Sequence, residues 1–316
     1  MIEKSFAECV APISWHNKSM RKTAKLFVYS LGFLLLCMIP VIIHQGAVTA
    51  SPWQSSSTSI LNPETVLNDL ARANVVYLGE THENQADHAA QLQIIQELHQ
   101  QNDRIAIAME MFQRPYQPVL DQYLAGEITE DELRQQSEYD RRWGFPWEYY
   151  APILQFAQIN QIPVLALNTP TEVTQKVAQK GLENLTEADR QWIPPLVEIH
   201  IDNEAYRQMI REVYDQFHQG HGSSEGFENF FLAQVLWDET MAETIANFLQ
   251  ANPDYQVVVL VGQGHVVYDY GIPSRVDRRL TEVPNFAQRS VLLNPVNEAR
   301  SEDEIADYFW ISPATE

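Results

Sequence analysis

Cysteine is nearly absent from this 316-residue chain: Cys9 and Cys37 are the only two, and none follows them. Everything beyond position 37 is therefore without disulfides, thiolate nucleophiles or cysteine metal ligands. Positive charge is scarce too. Five of the 21 basic and two of the 42 acidic residues fall in the first fifty, leaving 16 against 40. A surface of that sign repels phosphate backbones and argues against nucleic acid as a partner. It tolerates cations, and by itself it is a solubilising surface.

One long apolar run is present, Leu26 to Ile43, behind Lys18, Arg21, Lys22 and Lys25. "GAVTASPW" follows, with Val48 and Ala50 placed as in a small-residue cleavage site. Basic head, apolar middle and small-residue exit describe a secretory signal. The run is also long enough to stay as a membrane anchor through residues 26–43. Either way, residues 1–50 are a signal peptide or N-terminal anchor, and the rest of the chain is expected outside the cytoplasm. Residues 51–62 read as a Ser-rich linker, and 63–316 as one domain.

Within that domain the expected elements alternate. Pro63 opens a short helix. Val75–Leu78, Ile105–Met109, Pro163–Leu167, Gln256–Val261 and Arg289–Leu293 read as buried strands, with Ala306–Trp310 as an edge strand. Gln85–Gln101 has helical spacing, with Ala89, Leu92, Ile95 and Leu98 proposed as one face. Thr129 starts a helix with acids in its first turn, and Trp147–Asn160 is helical. Strands alternating with helices predict an α/β fold, a mainly parallel sheet flanked by helices. No strand signal appears between Asn168 and Asn252, so a helical cap or subdomain is expected at about 169–252.

The polar residues fall where such a sheet binds ligands, beyond the carboxyl ends of its strands. "GETH" puts Glu80 and His82 after the first strand; "GQGH" puts His265 after the fourth. Glu110 follows the second strand, and Asn168 follows the third. Two Gly-x-x-His motifs and a glutamate predict a shared site. His82, Glu110 and His265 could hold a divalent transition metal, with Glu80 or Glu110 as catalytic base toward a metal-bound water. Read singly, each histidine is a hydrogen-bonded loop residue and each glutamate a helix cap. His88 reads either as a support behind that site or, more plainly, as lying on a solvated helix face, and His99, His218 and His221 read as surface residues.

A second cluster, "SEYDRRWGFPWEYY", spans Ser137 to Tyr150. Its plain reading is a packed loop pinning a helix to the sheet. Its functional reading is a wall for a flat aromatic ligand, with Tyr139, Tyr149 and Tyr150 as phenolate candidates. Arg141 and Arg142 would pair with carboxylates. "EIHIDNEAY" adds His200 and Tyr206 in the helical region.

The segments "YLGETHENQADHAAQLQII", "AMEMFQRPYQPVLDQYLAGEIT", "WGFPWEYYAPILQFAQINQIPVLALNTP", "FFLAQVLWDETMAETI" and "GQGHVVYDYGIPSRV" together resemble the ChaN-like haem-binding proteins. That family shares a superfamily with the Tiki metalloproteases and erythromycin esterases. The resemblance runs from about Thr65 to Leu293, and the order and spacing of the motifs carry it. It implies an α/β core with a helical portion, haem as ligand, and a role in haem or iron uptake at the bacterial envelope. It also implies a homodimer able to sandwich paired haems with tyrosine ligation. From the Tiki-like members it implies the alternative of a metal-dependent peptidase or esterase at His82, Glu110 and His265. Leu36, which is not small, precedes Cys37 and departs from the lipoprotein members.

Overall fold

The computed structural model describes residues 51–55, 59–217, 224–296, 299 and 304–312. The signal or anchor segment 1–50 lies outside the described residues, as do His218 and His221. Among the described residues, no helix is long and apolar enough to cross a membrane.

Seven strands form one sheet: β1 (Trp53–Ser55), β2 (Val75–Glu80), β3 (Ile105–Gln113), β4 (Val164–Asn168), β5 (Gln256–Gly262), β6 (Gln288–Leu293) and β7 (Tyr308–Trp310). Their spatial order is β1-β7-β6-β2-β5-β3-β4. All neighbours are parallel except β1 with β7. The expected α/β class is what forms.

Side-chain alternation explains the layers. Val76 and Leu78 of β2 join Ile105, Ile107, Val258 and Leu260 on one face, under the helices Gln85–Gln101 and Trp147–Asn160. Val75 and Tyr77 join Ala108, Val257 and Val259 on the other face. The long helix Ser224–Ala251 covers that face with Met241, Ala242, Ile245 and Leu249. Local signals set the helix starts. The Asn62 side chain accepts from Glu64 N at 2.8 Å, and Thr129 and Glu132 form a reciprocal capping box.

The strandless stretch is helical as expected, and it is built on the front half of Ser224–Ala251. Phe227, Phe231 and Val235 pack with Tyr206 and Ile210, while Ala233 and Leu236 pack with Val173, Val177 and Ile193. One helix thus serves the sheet with its back half and the helical region with its front.

Three expectations change. The linker is not all linker: Trp53–Ser55 pairs antiparallel with β7 because Trp53 buries its ring edge-on against Trp310, 4.8 Å between centroids. β3 runs on to Gln113, with an irregular register against β4 after Met109. The buried face of Gln85–Gln101 carries Asp87, His88, Gln91, Ile94, Ile95 and Leu98, whereas Ala89 is exposed. Polar residues on that face hid its true direction.

Trp53→Ala should lower the unfolding free energy by about 3 kcal/mol in urea denaturation. A loss under about 1 kcal/mol would show that β1 contributes little to closing the sheet edge.

Candidate functional site

The site lies where β2, β5, β3 and β4 end side by side. Glu80 pairs in register with Gly262, so the two Gly-x-x-His turns leave adjacent strands at one level. Neither motif glycine has a positive φ; close approach explains both. A Cβ at Gly79 would stand 3.0 Å from Leu292 Cδ2, and one at Gly262 3.0 Å from His82 Cε1. The first turn folds its imidazole over the second motif's glycine.

Hydrogen bonds then run in two arms that meet at Glu110. In the first arm, Glu80 Oε1 accepts from the Tyr150 hydroxyl at 2.6 Å and lies 2.8 Å from His82 Nδ1. Its Oε2 accepts from Gln91 Nε2 at 2.6 Å. In the second arm, His265 Nδ1 is 2.6 Å from Asp238 Oδ1, and Asp238 Oδ2 accepts from the Tyr206 hydroxyl. Between them Glu110 Oε2 accepts from Gly262 N–H at 2.8 Å, and Oε1 stands 3.5 Å from His265 Nε2. Asn168 Nδ2 donates to the Glu110 carbonyl at 3.1 Å, which ties in β4. A carboxylate on each Nδ1 holds the proton there and leaves each Nε2 turned inward. The His265 Nε2 is buried without a hydrogen-bond partner.

The charges reinforce one another. Burial disfavours the His265 imidazolium, but Glu110 and Asp238 outweigh it and raise its pKa to about 10. Burial likewise opposes the Glu110 carboxylate, and His265 outweighs it, so Glu110 titrates below its ordinary value. His82 is raised despite burial, by its bond to Glu80 and by Glu110. Burial and the Glu80 charge push the Tyr150 phenol well above its usual range; burial and Asp238 do the same to Tyr206.

The structure therefore brings together Glu80, His82, Glu110, Asn168 and His265, as the strand ends predicted. Among the described residues no group of three His, Cys, Asp or Glu side chains stands where it would hold a metal ion. Both Nδ1 atoms face carboxylates, which orients the rings and leaves Nε2 as the atom toward the centre, while Glu110 Oε2 is engaged by the Gly262 N–H. A roof also covers the site: the rings of Trp143 and Phe145 each lie 4.8 Å from His82.

The tyrosine candidates divide. Tyr139, Tyr150 and Tyr206 are buried; only Tyr149 keeps part of its ring at the surface, stacked 4.7 Å from His88. Tyr206 points into the second arm, away from any partnership with His200, which is exposed. Arg141 and Arg142 are paired within the protein, to Glu138 and, for Arg142, also to Glu172. The "SEYDRRWGFPWEYY" cluster is thus chiefly packing. Sequence reasoning missed Asp238, whose signal was a carboxylate inside the apolar run "AQVLWDETMA". Of the two readings of His88 the solvated face fails: it is buried behind the site, with Nε2 3.1 Å from the His82 carbonyl and Nδ1 3.6 Å from Glu80 Oε2. Sequence reasoning also passed over Tyr268 and Tyr270, a half-buried stacked pair just past His265, with Tyr268 at φ 56°.

A family profile described as haem-binding uptake, Tiki superfamily, ChaN matches residues 66–276. Among solved structures, ChaN of Campylobacter jejuni, described for cofacial heme binding, superposes with a TM-score of 0.65. That superposition covers 83% of this chain and 96% of the other, at 18% identity, and is a likeness of fold. The Arabidopsis thaliana protein RETICULATA-RELATED 5, chloroplastic, is 25% identical over 272 residues, 79% of this chain. The chain covers 35% of that plant protein's length.

His265 titrates at about 10 when folded against 6.5 ordinarily, so its stabilisation is complete below about pH 6.5 and is lost as pH rises through 10. Stability measured in urea should fall between pH 7 and 10, and His265→Gln should flatten that fall. Parallel slopes in the two proteins would remove His265 as its source. Gly262→Ala should displace the His82 ring and cost on the order of 2 kcal/mol. An unshifted His82 NMR signal in that variant would contradict the close-approach account.

Proposed function

Because the chain belongs to the haem-binding uptake family of the Tiki superfamily that includes ChaN, we propose that it binds haem and serves its uptake or handling outside the cytoplasm. The observation that carries this reading is the family match, which spans both Gly-x-x-His turns and the helical region between them. Export through residues 1–50, attachment through 26–43 and pairing into a homodimer are parts of the same proposal. Bound haem brings an iron that takes a nitrogen or phenolate ligand, and two carboxylates that pair with cations.

The chain's own residues limit where haem goes. Tyr139, Tyr150 and Tyr206 are enclosed, and the last two spend their hydroxyls on Glu80 and Asp238. Among the described residues, Tyr149, Tyr268, Tyr270 and His200 reach solvent and are open to a flat ligand. The buried arms around Glu110 act as the frame that fixes the loops carrying those residues. Hydrolysis at His82, Glu110 and His265 is the weaker reading, because a substrate must first displace Trp143 and Phe145.

Hemin added to the purified protein should give a shifted Soret band that saturates at a fixed stoichiometry. Uptake that rises without saturation, as with an unrelated acidic protein, would overturn the proposal.

A further inference from the structure

A cleft of about 260 Å³ lies beyond the ends of β3 and β4, at the edge where parallel sheets take ligands. Glu80, His82, Glu110, Asp238 and His265 take no part in it. Gln113, the last residue of β3, and Pro170, just past β4, are its buried lining, and Pro115, Val173 and Ala188 add apolar wall. The volume falls just below the roughly 300–1,000 Å³ of pockets for drug-sized molecules, so a short chain fits and a macrocycle does not.

Most polar groups of the cleft are spent on one another. Gln113 Oε1 accepts from Arg142 Nη1 at 2.9 Å, and its Nε2 donates to Thr171 Oγ1 at 2.6 Å. Arg142 gives its other N–H groups to Glu138, Glu172 and the Tyr116 hydroxyl, and stands 5.0 Å over the Tyr116 ring. Among the described lining residues no cation is left over for an anion.

Two lining groups are not spent. Asp189 accepts from Lys176 Nζ, Thr186 N–H and the Thr186 hydroxyl, all on Oδ2. Among the described residues its Oδ1 accepts nothing. Burial opposes this carboxylate, and Lys176 and Thr186 outweigh it and hold its pKa at about 2. Trp192 is half-buried, and among the described residues its indole N–H donates to nothing and its ring stacks on no other ring. Its backbone is pinned: the N–H donates to the Asp189 carbonyl at 3.1 Å, and its carbonyl accepts from Arg114 Nη1 at 3.3 Å. Arg114 is in turn fixed on Glu243 at 2.8 Å.

We propose that the cleft binds a small aliphatic amine, its ammonium on Asp189 Oδ1 and its methylene stem against Trp192, Pro115 and Pro170. An ammonium carries donors only, which suits a carboxylate oxygen without a partner. An indole beside a cation adds further attraction. Among the charged residues lining the cleft, Glu172 and Asp189 outnumber Arg142. Lys176 on Asp189 and Arg141 on Glu138 balance the wider cluster, so selection comes from the groups that line the cleft and not from a net field. The site is independent of the haem reading, and hemin uptake decides nothing about it.

The test titrates the full chain, isotopically labelled, with n-butylamine and follows the indole N–H signals by NMR. The signal missing from Trp192→Phe is that of Trp192. It should shift saturably with n-butylamine and stay in place with butan-1-ol or butanoate. Asp189→Asn should weaken the amine by roughly tenfold, as for one charge-assisted hydrogen bond. Glu172→Gln should weaken it by a smaller factor, and it keeps the test valid if Asp189→Asn loosens the Thr186 cap, because the Glu172 side chain is exposed. Glu127→Gln, at an exposed acid outside the cleft, should change nothing. A Trp192 signal that moves without saturation, or moves equally with butan-1-ol, overturns the proposal. So does an affinity unchanged in both Asp189→Asn and Glu172→Gln, or lowered as much by Glu127→Gln.

Discussion

The fold depends on one buried carboxylate. Glu110 lies on the carboxyl edge of a mainly parallel sheet, between β5 and β4, with almost no water to solvate it. A charge in that position is tolerated only if it is paired and hydrogen-bonded. Gly262 N–H supplies the hydrogen bond and His265 the charge, and His82 adds its field from above. Each imidazole needs its own carboxylate, Glu80 or Asp238, and each of those takes a tyrosine hydroxyl. Satisfying one acid thus recruits residues from three strand ends and three helices. The arrangement stabilises a particular geometry rather than adding much net energy, since desolvation offsets most of the attraction.

That closure turns the chemistry-bearing residues toward one another rather than toward the surface. Of the residues that read as ligands or catalysts in the sequence, Glu80, Glu110 and both imidazole Nδ1 atoms are hydrogen-bonded within the protein. Donors and acceptors that hold each other, under Trp143 and Phe145, are poor partners for an incoming molecule. His200, of the same polar type, stands exposed at the surface instead. The relation to a haem-binding family is therefore compatible with a core that resembles a hydrolytic centre in its residue types while serving as a frame.

Much of this was legible, for identifiable reasons. Apolar runs ending in polar residues mark parallel strands and place His82, Glu110, Asn168 and His265 at one edge, because the sheet has only one carboxyl end. The reason for glycine in each Gly-x-x-His turn was legible only as a choice between positive φ and close approach, and Gly262 needs the latter for the His82 ring. Asp238 was not legible, because helical periodicity does not say which mid-helix carboxylate turns inward. Nor was the burial of His88, whose face carries Asp87 and Gln91 and so looks polar. The tyrosines of the aromatic cluster could not be sorted without knowing that Glu80, 70 residues before Tyr150, needs a phenol donor. Partnerships across such separations leave no local pattern.

The long helix joins the buried frame to the exposed segment around His200 through consecutive residues. Asp238 reaches His265 and Tyr206 in the interior. Glu239, the next residue, gathers Arg275, Arg278 and Arg279 and takes the His200 backbone N–H. Successive helical residues point about 100° apart, so neighbours can serve different sides of one helix. The frame that satisfies Glu110 sets the rotation of this helix. The rotation sets Glu239, and Glu239 sets the height at which His200 and its apolar neighbours stand. A surface segment positioned in this way is tied to the core through its backbone and not through its outward side chains.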